Sequence, residues 1–361
     1  MKKTVLFFIT QLIVTSVFTQ QKFLDSISNS FFKDSLNYGI AIGVYNSGKS
    51  FYNTKGSKYY KSKNDVTENT LFEIGSVTKI YTTAILASLE IEGALNRDDK
   101  LIDFLPKNFS NKKVLSKITL RHLASHTSGI PITAWDDWSE LQKDKRFNEN
   151  NPFDILTKEF IYEKLASVEN LPKFEEYHYS NFGFGLLSLI LEQKTGLSYH
   201  ELFYKYIKNP LKLQNVFVDV PKTEIQNLAL PHKKGEIVPL IELSDADATG
   251  GVTSSIKELI GFLSTLANPR TDHQKDIQSI VFRPQFDDSN LSAIGLGWGI
   301  FELEKEKVYW KNGGTYGSGS IVIVCPSLKL AVGLLANSNS TGQLQNYAIQ
   351  IIQKLIKENK N

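Results

Sequence analysis

Apolar positions change their rhythm along the chain. Residues 23–36 carry helix-like apolar spacing. Residues 39–45 are apolar with small residues interspersed. Asn46-Ser47-Gly48-Lys49 then breaks the run before residues 50–53, which predicts a strand, a turn and a strand. The middle of the chain reads as helical. One helix dominates residues 71–101 and starts near Ser76. A second stretch opens over 118–123 and closes at the turn Thr127-Ser128-Gly129-Ile130-Pro131. A helix over 182–194 ends at Gly196, and another covers 256–266.

The C-terminal part changes character. Residues 297–303, 307–311, 320–324 and 328–335 are short, β-rich and punctuated by Gly and Pro. Leu344, Ala348, Ile351, Ile352 and Leu355 then mark one side of a terminal helix. Strands at both ends with helices between them predict an α/β chain of the α+β type. It has one antiparallel sheet built from both termini, flanking helices, and an inserted helical subdomain. No internal repeat or low-complexity linker divides it, so residues 20–361 are expected to form a single domain.

Composition adds little to this picture. The chain has 361 residues, 41% hydrophobic and 22% charged, with a formal charge of +3. That is an ordinary globular balance with material for a large core. Its scattered Lys and Arg leave no basic stripe for nucleic acid.

Residues 1–19 look like a secretory signal. Lys2-Lys3 precede an apolar stretch over 5–14, interrupted by Thr10 and Gln11, and small and β-branched residues follow. Export to the periplasm or outside the cell is the expectation, with cleavage after Thr19. The run is too short for a stable membrane span, so an uncleaved anchor is the lesser alternative. Cys325 is the single cysteine. It excludes an intramolecular disulfide, and its apolar neighbours place it in a buried strand.

Three elements carry candidate chemistry. In Ser76-Val77-Thr78-Lys79, helical spacing brings Lys79 onto the face of the Ser76 hydroxyl. A serine is a weak nucleophile without a nearby base, and a desolvated lysine can serve as one. Ser110/Lys113 and Ser254/Lys257 share the spacing. The first reads as a solvated loop, the second as a helix N-cap with a surface lysine. Tyr179-Ser180-Asn181 lies just ahead of a helix, where a phenol and a carboxamide can project into a cleft. Lys311-Asn312-Gly313-Gly314 follows a strand, and its glycines allow close approach of a substrate. Lys194-Thr195-Gly196 is set aside, because its lysine and glycine suit the end of a helix.

In order and flanks these elements resemble the serine β-lactamase and penicillin-binding protein superfamily. The resembling blocks are Phe72-Glu73-Ile74-Gly75-Ser76-Val77-Thr78-Lys79, residues 118–129, Tyr179-Ser180-Asn181-Phe182-Gly183-Phe184-Gly185, and the pairs Gly250-Gly251 and Gly313-Gly314. The chain looks most like the class C branch, whose second motif is Tyr-x-Asn. Asn312 departs from the threonine or serine usual in true β-lactamases.

The resemblance implies Ser76 as nucleophile, with Lys79 and Tyr179 sharing acid and base work; which takes the first proton stays open. It implies an oxyanion hole from the Ser76 and Gly314 amides, and substrate contacts from Asn181, Lys311, Asn312 and Gly313. The expected substrates are a β-lactam, a D-Ala-D-Ala peptide of the peptidoglycan type, or a related amide or ester. A small-ester esterase and a non-turnover penicillin-binding sensor are the alternatives. No cofactor or metal is implied, and a monomer is expected. His122 and His126, four residues apart, are a lesser metal alternative without an acidic partner. No Gly-x-Ser-x-Gly is present.

Overall fold

The structure is a computed structural model that describes residues 20–131, 138–149, 151–288 and 292–360. The expected signal segment therefore lies outside the described residues. The centre of the molecule is an antiparallel sheet of eight strands. They are β1 (Gly39–Asn46), β2 (Lys49–Gly56), β3 (Phe286–Asp288), β4 (Ser292–Ile294), β5 (Gly299–Leu303), β6 (Glu306–Gly314), β7 (Gly319–Cys325) and β8 (Leu330–Ala336). Their spatial order is β2-β1-β8-β7-β6-β5-β4-β3, so the two chain ends meet where β1 pairs with β8.

The central strands are buried on both faces, which explains their almost continuous apolar runs. Ile40, Ile42 and Val44 point to one side. There they pack with α1 (residues 20–31) and the last helix of the chain, Thr341–Lys360. Ala41 and Tyr45 point to the other side, toward the helix Ile256–Ala267 and the larger core. Cys325 is fully buried on β7, as its neighbours predict.

Between β2 and β3 lies the helical insertion. Its axis is α2 (Thr78–Ile91), buried at every position from Thr78 to Leu89. A helix apolar nearly all round belongs inside a protein. Beside it runs α3 (Asn181–Thr195), capped by the Ser180 hydroxyl and closed by Gly196 in the left-handed conformation. Lys194 is exposed on its last turn, as expected of a helix end.

One expectation needs correction. The N-cap of the helix Ile256–Ala267 is Ser255. Ser254 instead belongs to a short strand, Thr253–Ser255, and is fully buried. That strand pairs with Leu71–Glu73, the strand leading to Ser76. Among the described residues no helix is long and apolar enough to cross a membrane.

Candidate active site

The strand Leu71–Glu73 runs into a tight turn, Gly75–Val77, before α2 begins at Thr78. Gly75 takes a φ of +49°, which favours glycine. Ser76 thus sits in the turn just ahead of the α-helix and stays half-buried at the cleft floor. One helical turn on, Lys79 is fully buried. Its Nζ lies 3.1 Å from Ser76 Oγ, 2.8 Å from Asn181 Oδ1 and 2.6 Å from the Thr249 carbonyl oxygen.

The loop carrying Thr249 is pinned to α2. The Thr82 hydroxyl donates to the Ala248 carbonyl at 2.7 Å, and the Val252 amide donates to Thr78 Oγ1 at 3.1 Å.

Tyr179 and Asn181 arrive from the start of α3. The phenolic oxygen of Tyr179 is 2.6 Å from Ser76 Oγ. Two lysines flank its ring, with Lys311 Nζ 4.6 Å and Lys79 Nζ 5.2 Å from the centroid. Such contacts are favourable between a cation and an aromatic face.

Lys311 is placed by a change in strand pairing. β6 pairs with β5 only as far as Trp310, so residues 311–314 are paired on one side, with β7. The freed edge faces the turn that carries Ser76. Gly313 has no space for a side chain: a Cβ would stand 2.1 Å from the Ile74 carbonyl oxygen and 2.9 Å from the Ser76 nitrogen. The Gly314 backbone lies against Gly75 in the same way. Lys311 is buried, and that burial pulls its pKa down to about 7.

Two hollows lie at this cluster. A cleft of about 230 Å³ is lined by Ser76, Phe153, Asn181, Ile241, Gly314 and Tyr316. A second cavity, of about 70 Å³, is lined by Tyr179, His126, Trp298, Trp310, Lys311 and the half-buried Asn312. Ser76, Lys79, Tyr179, Asn181, Lys311, Asn312, Gly313 and Gly314 are thus gathered at one place. Ser110 is exposed on a turn elsewhere.

The parts played here by three groups escape the sequence reading. The Thr249 carbonyl is a backbone group with no side-chain signature. Glu73, buried beneath the turn, accepts the Ile241 amide and the Thr315 hydroxyl at 2.6 Å each, joining two walls of the cleft. Burial pushes its carboxyl pKa up. His126 holds the Tyr179 segment. It lies beyond the end of the helix Leu120–Ala124, with φ +60°, so it does not share a helical face with His122. The Nδ1 of His122 is engaged by Thr119, and that of His126 by Ser180.

The sequence model of the Beta-lactamase family matches residues 29–355. The chain belongs to the Beta-lactamase family. Within it, a Beta-lactamase of Escherichia coli (strain K12) is 25% identical over 336 residues, covering 83% of this chain and 84% of that protein. A Beta-lactamase of Yersinia enterocolitica is 23% identical, covering 88% and 87%. Among solved structures, a class C beta lactamase from Rhodobacter sphaeroides superposes with a TM-score of 0.79 at 21% identity, over 92% of this chain and 98% of that one. A Beta-Lactamase/D-Alanine Carboxypeptidase from Pseudomonas syringae gives 0.79 at 18% identity, over 94% and 99%. The fold of this Beta-lactamase family member is therefore that of the class C enzymes.

Proposed function

We propose that this protein is an exported serine hydrolase. It acts through an acyl-enzyme on amide or lactam substrates that carry a carboxylate, β-lactams and D-Ala-D-Ala peptides being the classes concerned. The observation that carries the reading is the placing of Ser76 Oγ within hydrogen-bond reach of both Lys79 Nζ and the Tyr179 phenol.

Ser76 attacks the acyl carbonyl. Its proton passes to the Tyr179–Lys79 pair, and the shorter contact, to the phenol, favours Tyr179 as the immediate acceptor. Lys79 holds Tyr179 as the phenolate by charge beforehand, and the phenolate becomes a phenol on taking the serine proton. The developing oxyanion is received by the Ser76 and Gly314 amides, each such donor contributing about 3 kcal/mol. The proton returns to the leaving nitrogen as the acyl bond breaks. Water enters along the reverse route, and the same pair takes its proton.

Asn181 holds the substrate amide, and Gly313 lets the substrate lie along the open edge of β6. Lys311, a buried cation beside Asn312, receives the carboxylate. Placement of a charged group where solvent is excluded supports an anionic substrate over a neutral one.

A substrate panel tests this reading: nitrocefin, a D-Ala-D-Ala peptide and p-nitrophenyl acetate, each with wild type and Ser76→Ala. Turnover of nitrocefin or the peptide that vanishes in Ser76→Ala is expected. Turnover of the acetate alone, untouched by Lys311→Ala, would favour the esterase reading.

A further inference from the structure

We propose that His126 is the positioning residue of Tyr179, gripping the chain on both sides of the tyrosine so that the phenol stands over Ser76. The proposal rests on Tyr179 having the role given above.

The His126 carbonyl accepts the His178 amide at 2.7 Å. Its Nδ1 accepts the Ser180 amide at 3.1 Å. The two neighbours of Tyr179 are therefore both tied to His126, far earlier in the chain. Its left-handed backbone, φ +60°, lets carbonyl and imidazole reach the same segment. The next residue continues the grip, the Thr127 carbonyl accepting the Glu175 amide at 2.9 Å.

The imidazole also lies against the Tyr179 ring, with centroids 4.4 Å apart and planes at 37°. Phe184 of α3 backs it at 5.0 Å. Tyr179 itself is 37% exposed at the mouth of the cleft. Ser180 is the N-cap of α3, so the hydrogen bond that its amide donates to His126 ties the start of that helix to the same residue.

The imidazole is suited to accept because it is buried and stands near Lys311 and Lys79. All three influences hold its pKa well below the ordinary value, burial most of all. A neutral ring keeps the Nδ1 lone pair that the Ser180 amide requires. Tyr177 completes the surroundings, edge-on at 5.9 Å.

A displaced phenol no longer lies in line to take the serine proton, although substrate still binds. Two variants separate the parts of the grip. His126→Asn keeps an acceptor near the Nδ1 position and tolerates a left-handed backbone. His126→Phe keeps a ring and removes the Nδ1 acceptor of the Ser180 amide. Pre-steady-state acylation by nitrocefin should fall at least about tenfold in His126→Phe, with KM changed by less than about threefold. His126→Asn should stay within about threefold of wild type.

In a Tyr179→Phe background, His126→Phe should lower the rate by less than about twofold more, since the residue it positions is already disabled. Should His126→Phe fail to fold, His126→Ala takes its place in both comparisons.

The proposal is overturned if His126→Phe acylates at the wild-type rate, if Asn and Phe lose the same amount, or if the two losses multiply in the double variant. Normal acylation by Tyr179→Phe alone would remove the role of the tyrosine, and with it the reading on which this rests. A disabled Tyr179→Phe beside a normal His126→Phe removes only the positioning role.

Discussion

Ser76 Oγ and the Tyr179 phenolic oxygen stand 2.6 Å apart, although 103 positions separate the two residues in the chain. If the phenol takes the serine proton, Tyr179→Phe should slow acylation at least about a hundredfold, the usual size of general-base catalysis. Lys79→Arg keeps a charge but cannot accept a proton. It should retain measurable acylation if Lys79 acts by charge alone. Stopped-flow acylation of both variants decides between the roles, and a near-normal rate in Tyr179→Phe would exclude the phenol.

Lys311 should make recognition of anionic substrates depend on pH. With its pKa brought to about 7, it is charged below that pH and neutral above it. The ratio of kcat/KM for a carboxylate-bearing substrate to that for an uncharged ester should therefore fall as pH rises through about 7. Lys311→Ala should lower turnover of the anionic substrate at least about tenfold and flatten that ratio, since a charge-assisted contact contributes about 1.5–3 kcal/mol. Lys194→Ala should be nearly silent. A ratio constant to high pH would contradict the assignment.

The same burial should cost stability. The folded form binds the Lys311 proton more weakly than the unfolded chain, whose lysine titrates near 10.5. The penalty is full below about pH 7 and fades as pH rises toward the unfolded value. Lys311→Met should therefore raise Tm, and raise it more at pH 6 than at pH 9. Thermal unfolding at the two pH values is the check, and a lower Tm at pH 6 would count against it.

Gly313 should accept no side chain. In Gly313→Ala the new methyl would press on the Ile74 carbonyl oxygen and the Ser76 nitrogen. The open edge of β6 must move away from Ser76 to make room. A loss of kcat of about a hundredfold is expected, as for a misplaced reacting group. Steady-state kinetics measures it, and an unchanged kcat would mean that the glycine is not needed for this approach.

Much of this arrangement is legible in the residues themselves. Strands β7 and β8 are buried on both faces and therefore read as unbroken apolar runs. Ser76 and Lys79 are found by local spacing, and Tyr179 and Asn181 by their place before a capped helix. The strands Val216–Phe217, Thr253–Ser255 and Phe286–Asp288 are two or three residues long, too short to show a period of two. The helix Asp272–Phe282 is mostly polar and buries little beyond Val281 and Phe282, so it leaves a faint apolar trace. Glu73 and His126 are visible as residue types. Their partners, Ile241, Thr315 and residues 178 and 180, are reached only by the fold.

The most direct measurement is to locate the acyl group. Protein treated with a labelled penicillin or a fluorophosphonate, then digested and read by mass spectrometry, should carry one adduct, on the peptide containing Ser76. Ser76→Ala should carry none. Labelling that survives in Ser76→Ala, or maps to Ser110 or Ser254, would contradict the account.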